Sequence, residues 1–236
     1  MPRKQTSNVD AWLKRETPRI RKAFESASRH FDTNDTLTVN TLEAVYGQES
    51  SFGIHMGTRG SLEPAGHFQF EPPTAKRYGL SVSKENDQRF DINRVSSAAA
   101  RYLKDLHSMF SKETGLPGGR HTIAVTDASE RKRFVLGAFN AGEGRIAAAQ
   151  RLAEKAGKNP RLWSDVQRFI ALAGTTKAKE REAIEYVEKV LSYESAFAIT
   201  SPTDKSKKRK KPGKRQAWCT EGHWRTMNDR PVFICA

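Results

Sequence analysis

The chain has 236 residues, which is long enough for one large domain or for one domain with small appendages. Lys and Arg number 41 against 27 Asp and Glu, so the formal net charge is +14, and a polyanionic partner is expected, whether nucleic acid, an anionic membrane surface or the carboxylates of a cell wall. No apolar run approaches the roughly 20 residues that a membrane-spanning helix requires, which excludes such a helix from these residues.

The first segment predicts a chain without a cleaved leader. Its opening, MPRKQTSNVDAWLKRE, is basic and lacks the apolar stretch of a signal peptide. Such a chain acts inside the cell, is exported by a route that needs no cleaved signal, or has had its signal removed. Residues 9–31 then carry apolar side chains at helical spacing, interrupted at Pro18, which predicts two short helices or one kinked helix.

The next helix carries a carboxylate at its end. Asn40 followed three residues later by Glu43 resembles a capping pair, and it predicts a helix that runs through Gln48 with Glu49 in its last turn. The negative end of the helix dipole lies there, which favours a protonated carboxyl. Residues 50–66 are rich in Gly and Ser and predict a long loop, a feature that is often functional in a compact domain.

The rest of the body predicts helices almost throughout. A short helix is expected over 73–79, and Asp91 is expected to cap a long one that ends near 115. After a Gly/Pro-rich stretch, inward-facing apolar positions predict further helices over 130–142, 144–157, 160–174 and 181–197. No alternating strand pattern precedes the tail, so the fold class is mainly α.

The composition changes near residue 200. Residues 201–216 are dominated by Lys and Arg, which predicts a basic flexible linker. Residues 217–236 hold enough Trp, Val, Phe and Ile for a small C-terminal hairpin. Cys219 and Cys235 are expected to form a disulfide or to be thiols without a function, because with His223 they lack the tight spacing of a zinc motif. No metal site is expected.

Four short segments occur in a recognisable order: ESSFG (49–53), GHFQFEPPTA (66–75), AFNAGEGR (138–145) and IEYV (184–187). They resemble the lytic transglycosylase family of the lysozyme superfamily, whose segments run E-S-x-F, G-L-M-Q-I-x-P-x-T-A, A-Y-N-A-G-x-G-R and Y-V. Residues 159–166, NPRLWSDV, are similar to a stretch of the membrane-bound lytic transglycosylase F branch. The resemblance covers about residues 40–195.

The resemblance implies a lysozyme-like helical domain over 37–200, with residues 1–36 as a helical segment packed on it. It implies cleavage of the β-1,4 bond between N-acetylmuramic acid and N-acetylglucosamine in peptidoglycan, by ring closure to a 1,6-anhydro product and without a cofactor. The implied catalytic acid is Glu49, and the implied substrate-site residues are Ser50, Ser51, Gln69, Asn140 and Tyr186. Ser50 or Ser51 would position the acid, and Tyr186 would lie on the cleft floor.

The sequence departs from the family pattern, and Glu71, together with Gly53 four residues after Glu49 as in goose-type lysozymes, keeps hydrolysis open as an alternative. Leu-Met before Gln69 is replaced by His67-Phe68, and the family's Tyr is replaced by Phe139. Glu71 stands where the family has an apolar residue, and goose-type lysozymes, which hydrolyse, carry an acid there. Glu71 or Glu63 would then be a second catalytic carboxylate. The alternative for Glu71 is a structural acid at the start of the 73–79 helix.

The expected partner is the peptidoglycan glycan strand, at the periplasm or cell envelope. The basic tail adds an anionic envelope polymer as a candidate partner, and an inhibitor or immunity protein would fit an exported antibacterial effector. No nucleic acid is expected, since the recognisable motifs belong to sugar chemistry. A basic nucleic-acid-binding protein and an inactive wall-binding protein are the alternatives of another class.

Overall fold

The structure, a computed structural model, describes residues 3–32, 36–200, 222–227 and 230–235. The mainly α fold class is confirmed, because these residues form nine α-helices and only two short pairs of strands. The helices are α1 (Arg3–Leu13), α2 (Pro18–Ala27), α3 (Val39–Ser50), α4 (Pro72–Arg77), α5 (Ile92–Ser111), α6 (Ala128–Ala141), α7 (Glu143–Lys155), α8 (Trp163–Val166) and α9 (Lys177–Thr200). None of the helices in this part of the chain is long and apolar enough to cross a membrane.

The chain divides into two compact units, Met1–Phe197 and Ala198–Ala236. Within the second unit, β3 (Gly222–Met227) and β4 (Arg230–Cys235) form an antiparallel pair whose register runs from Gly222 opposite Cys235 to Met227 opposite Arg230. The expected hairpin in 217–236 therefore has its two strands here. The basic linker 201–216 and Cys219 lie outside the described residues, so the division of the tail and the state of its cysteines stay predictions.

The apolar pattern over residues 9–31 belongs to two separate helices, α1 and α2, and not to one kinked helix. Pro18 is the first residue of α2, where its missing N–H is not needed, and the Thr17 hydroxyl accepts a hydrogen bond from the Ile20 amide. The predicted cap of α5 is also confirmed, since the Asp91 carboxylate accepts from the amides of Asn93 and Arg94. Proline and capping chemistry thus set both helix starts.

The predicted start of α3 is wrong by two residues. The cap is Thr38, in an extended conformation, and a capping box joins it to Thr41, whose hydroxyl accepts from the Thr38 amide at 2.9 Å. Asn40 lies inside the helix. Glu43 does not turn back to cap the helix because it is buried and its carboxylate lies 2.7 Å from the Arg21 guanidinium.

Two further expectations require correction. Residues 160–174 do not form one helix: α8 is followed by the 3-10 turns Gln167–Phe169 and Ala171–Ala173. The Trp163 ring, at the start of α8, is buried against Phe134, with 5.5 Å between the ring centroids. A short ladder also precedes the tail, β1 (Gly115–Leu116) with β2 (Arg120–His121), around a turn that is too short to show strand periodicity.

The core is built around α5, which packs against α2, α3 and α6. The end of α3 is fixed by an aromatic cluster from α1 and α9. Trp12 stacks on Phe52 at 5.9 Å and on Phe197 at 6.3 Å. Trp12 also covers Gly47, where an added Cβ would lie 2.4 Å from the Trp12 ring, so only glycine permits this approach. The cluster holds the last turn of α3, with Glu49, in one place.

Candidate active site

The turn after Glu49 is held in an uncommon backbone conformation. Ser51 and Phe52 are both left-handed, with φ of 49° and 60°, and this turn sends the Phe52 ring into the core. The Ser50 hydroxyl donates to the Tyr46 carbonyl and accepts from the Gly53 amide. Ser50 is fully buried, and neither it nor Ser51 lines the adjacent cleft, so the structure places both serines in the turn that fixes Glu49.

Glu49 opens onto a cleft of about 950 Å³. The cleft is bounded by the end of α3, the loop before α4, the junction of α6 and α7, and the start of α9. Its charged lining residues are Glu49, Glu71, Glu182, Arg120, Arg145 and Lys179, and its aromatic ones are Phe68, Phe70, Tyr102 and Phe139. No group of His, Cys, Asp or Glu that could hold a metal ion occurs in the described part of the chain.

The Glu49 carboxyl is held in a form that can give up a proton near neutral pH. Burial raises its pKa to about 7, while a hydrogen bond from Tyr186 and the charge of Lys179 oppose that rise. Glu182 adds to the rise by like-charge repulsion. Burial is therefore the main identified cause of the acid-ready state of Glu49.

Tyr186 reaches Glu49 from α9. Its hydroxyl donates to Oε1 of Glu49 at 2.7 Å, and the ring is buried. Burial, followed by the neighbouring Glu49, holds the pKa of Tyr186 well above its usual range, so the phenol stays a donor. Elsewhere, α9 is tied to two other helices, because Thr41 of α3 and Lys132 of α6 both donate to its Glu194 carboxylate. This tie fixes α9, and with it Tyr186, against α3.

Gln69 and Asn140 both line the cleft. Gln69 has a left-handed backbone with φ of 48°, and its Nε2 donates to the carbonyls of Gly66 at 2.7 Å and His55 at 3.2 Å. Asn140 donates from Nδ2 to Glu182 at 3.0 Å, while its buried Oδ1 accepts no bond from the described residues. Because its donors are occupied, Gln69 suits the hydroxyl or amide N–H groups of a ligand, whereas Asn140 has both a donor and an acceptor group at the cleft wall.

The structure separates the two candidates for a second carboxylate. Glu71 is exposed and lines the cleft, and although it stands at the cap position of α4, its side chain makes no capping hydrogen bond. Glu63 is exposed in the loop and does not line the cleft. The cleft thus brings together Glu49, Glu71, Gln69 and Asn140, with Tyr186 behind Glu49.

The sequence did not single out Glu182 and Lys179, which also line the cleft. The Lys179 ammonium donates to Glu182 at 2.7 Å. Burial opposes ionisation of Glu182, but the bonds from Lys179 and Asn140 outweigh it and lower its pKa. Glu182 precedes Tyr186 by one helical turn. This i, i+4 spacing places both residues on one face of α9, and it is the sequence feature from which Glu182 could have been predicted to lie near the cleft.

Arg89 is a second residue that the sequence did not indicate. It is fully buried, pairs with Asp87 at 2.7 Å, and donates to the backbone carbonyls of Ser61, Glu63 and Phe70. Its own carbonyl packs against Gly66, where an added Cβ would lie 2.1 Å away. The guanidinium therefore shapes the loop that carries Gln69 to the cleft, through backbone contacts that leave no side-chain pattern.

His67 and Phe139, two of the positions that depart from the family pattern, have packing partners. The Tyr46 hydroxyl lies 3.1 Å from Nδ1 of His67, and burial lowers the pKa of this imidazole to about 4, so it is neutral. This contact ties the loop to α3. Phe139 packs on Phe70 at 5.9 Å and Tyr102 at 5.2 Å, which forms an aromatic wall of the cleft.

Comparison with known proteins agrees with the motifs. The family described as "Transglycosylase SLT domain" matches residues 27–162. A protein of Desulfosudis oleivorans named "Membrane-bound lytic murein transglycosylase F" is 28% identical over 191 residues, covering 75% of this chain and 36% of that protein. Proteins of the same name from Shewanella baltica and Shewanella frigidimarina are 26% and 28% identical over 185 residues, with 75% of this chain and 33% of theirs covered. The chain spans about a third of the length of these curated relatives.

Proposed function

The chain belongs to the family of SLT transglycosylase domains, and from this premise we propose that it cleaves the β-1,4 bond between N-acetylmuramic acid and N-acetylglucosamine in peptidoglycan. The observation that carries the proposal is the Glu49 carboxyl, which opens onto the cleft with a pKa of about 7 and a 2.7 Å bond from Tyr186. A carboxyl that changes its protonation state near neutral pH is suited to donate and then accept a proton.

The reaction uses one carboxyl twice. Protonated Glu49 gives its proton to the glycosidic oxygen as the bond from that oxygen to C1 of the muramic acid breaks. The acetamido oxygen of the same sugar stabilises the cation at C1. The Glu49 carboxylate then takes the proton of the C6 hydroxyl, and the C6 oxygen bonds to C1 to close a 1,6-anhydro ring. No water is consumed, and Glu49 ends protonated.

The surrounding residues have distinct parts in this proposal. Tyr186 holds the carboxyl in place, and Ser50 and Ser51 fix the turn behind it. The side-chain amides of Gln69 and Asn140 form hydrogen bonds with the hydroxyl and acetamido groups of the sugar. Their location on the cleft lining supports these roles.

Hydrolysis is the second candidate, and one observation favours it. Glu71 lines the cleft without a capping bond, so its carboxylate is available to activate water as a base or to act as the nucleophile of a hydrolase. Glu63 lies away from the cleft lining and is the weaker choice for that part.

Mass spectrometry of the fragments released from purified murein sacculi tests both candidates. Anhydro ends are expected, and they would indicate ring closure; reducible ends would indicate attack by water. If ring closure is right, Glu71→Gln leaves the product unchanged. A sample that releases nothing and instead binds DNA in a strongly salt-dependent way would overturn the enzyme proposal.

We place this activity at the periplasm or cell envelope, where the substrate lies. The relatives named above are called membrane-bound, which is consistent with an envelope site. The basic residues of 201–216 would hold the chain to an anionic envelope polymer, and an exported effector would be matched by an inhibitor or immunity protein. Cell fractionation that finds the protein only in the cytosol would contradict this placement.

A further inference from the structure

A second cavity, which we call the side groove, continues from the cleft. Its volume is about 540 Å³, and it shares Arg120, Ala173 and Gly174 with the cleft lining. The rest of its wall comes from the β1–β2 turn, one face of α7 and Leu172 of the 3-10 turn Ala171–Ala173. A ligand that fills the cleft can therefore extend into the side groove without leaving the protein surface.

The side groove is basic at its rim and has small apolar side chains below. Arg120, His121, Arg151 and Lys155 line it, and no carboxylate does so in the described part of the chain. Arg151 is paired with Glu113 at 2.7 Å and with Glu154 at 3.2 Å. Arg120 and Lys155 form no ion pair with any described residue. The apolar lining residues are Ala147, Ala148, Leu152, Leu172 and Ala173.

We propose that the side groove binds the acidic peptide attached to the muramic acid of the strand in the cleft. The inference rests on the proposed function, because it takes the ligand of the cleft to be a peptidoglycan strand. Every second sugar of that strand carries a short peptide with free carboxylates and alanine methyl groups. The unpaired cations Arg120 and Lys155 complement the carboxylates, and the alanines of α7 complement the methyl groups.

The side groove fits a peptide better than a nucleic acid. A nucleic-acid strand is usually held by stacking of its bases on aromatic rings, and none of the described lining residues of the side groove is aromatic except His121. The cleft itself sets Arg120, Arg145 and Lys179 against its three carboxylates, so its lining offers no excess of positive charge to phosphates. A neutral sugar in the cleft and a negative peptide beside it match both charge distributions.

Cleavage of two substrates by the full chain tests the inference. One is a glycan strand that keeps its peptides, and the other is the same strand stripped of them by an amidase. Lys155→Glu is expected to lower kcat/KM on the peptide-bearing strand roughly three- to tenfold relative to the stripped strand, mainly through KM. Lys22→Glu, exposed on α2 and outside both cavities, is the matched control for net charge. The same ratio of kcat/KM on the peptide-bearing strand to kcat/KM on the stripped strand in Lys155→Glu and Lys22→Glu would overturn the inference.

A direct binding measurement separates this inference from the proposed function. Titration of the full chain with the free acidic peptide is expected to show binding that weakens roughly three- to tenfold with Lys155→Glu. Amidation of the peptide carboxylates is expected to weaken it by a similar factor. Failure of the wild type to cleave either strand would contradict the proposed function while this titration still decides the inference. Binding that neither change affects, or that only an oligonucleotide shows, would overturn it.

Discussion

Two glutamates on α3, six residues apart, are both shifted toward the protonated form, and they differ in what they face. Burial raises the pKa of Glu43 to about 8 and that of Glu49 to about 7. Glu43 is completely buried against Arg21 and close to Glu16, with no contact to the cleft. Glu49 opens onto the cleft and accepts from Tyr186. A raised pKa therefore shows that a carboxyl group is desolvated. The group is a candidate proton donor only if a ligand can also reach it.

The largest difference between Glu49 and Glu43 is expected in the effect of their substitution on the rate of peptidoglycan cleavage. Glu49→Gln keeps the shape of the side chain and removes the proton donor, so release of muropeptides from sacculi should fall by at least about a hundredfold. Glu43→Gln is the matched control on the same helix and should keep the wild-type rate. Near-normal activity of Glu49→Gln, or an equal loss in both variants, would remove the distinction between the two glutamates.

A smaller effect is expected from Tyr186→Phe, which removes the hydrogen bond to Glu49 and keeps the ring. The rate should fall about tenfold because the carboxyl is less well held. The bond lowers the pKa of Glu49, so its loss raises that pKa, and the alkaline limb of the pH–rate profile should move to higher pH. Tyr193→Phe, elsewhere on α9, is the control, and an unmoved limb in Tyr186→Phe would argue against the contact.

Glu71→Gln is expected to have a smaller effect still. If Glu49 works alone, the rate should fall no more than a few-fold, through changed charge in the cleft, and the product should keep its anhydro end. Loss of activity by a hundredfold or more would instead assign Glu71 an essential role and support hydrolysis. The comparison of rate and product in one experiment separates these outcomes.

Glu43→Gln is expected to have the smallest effect on activity. It is expected to change the pH dependence of the free energy of unfolding instead. The unfolded carboxyl loses its proton near pH 4.5 and the folded one near pH 8. The folded state therefore binds more protons within that window, and wild-type stability falls as the pH rises through it. Glu43→Gln lacks this loss, so it should gain on the order of 1–3 kcal/mol relative to wild type between pH 5 and pH 9. Denaturant unfolding at pH 5 and pH 9 measures the free energy of unfolding of both proteins. A difference between variant and wild type that is the same at both pH values would contradict the raised pKa of Glu43.

Contiguous motifs made part of the cleft predictable from the sequence. Glu49, Gln69, Asn140 and Tyr186 each stand in a short string of residues, and the order of those strings indicated a shared site before the fold was known. The helix starts at Pro18 and Asp91 were predictable for the same reason, since their causes lie within three residues of the helix end.

The remaining features depend on contacts across the chain. Arg89 acts on backbone carbonyls 19 to 28 residues away, and such contacts leave no side-chain pattern. The predicted start of α3 was wrong because Glu43 is buried against Arg21, and this burial outweighs the capping potential of the Glu43 side chain. The predicted helix over 160–174 is replaced by α8 and two 3-10 turns, which the spacing of apolar residues does not distinguish from one continuous helix.

The most direct test is the titration of the Glu49 carboxyl, followed by NMR in protein labelled at the glutamate side chains. Glu43→Gln removes the other strongly shifted signal and leaves that of Glu49 to be assigned by its loss in Glu43→Gln/Glu49→Gln. The structure predicts one carboxyl with a midpoint near pH 7 in the single variant and its absence in the double variant. Titration of every glutamate below about pH 5 would contradict the claim that Glu49 is a buried acid poised to donate into the cleft.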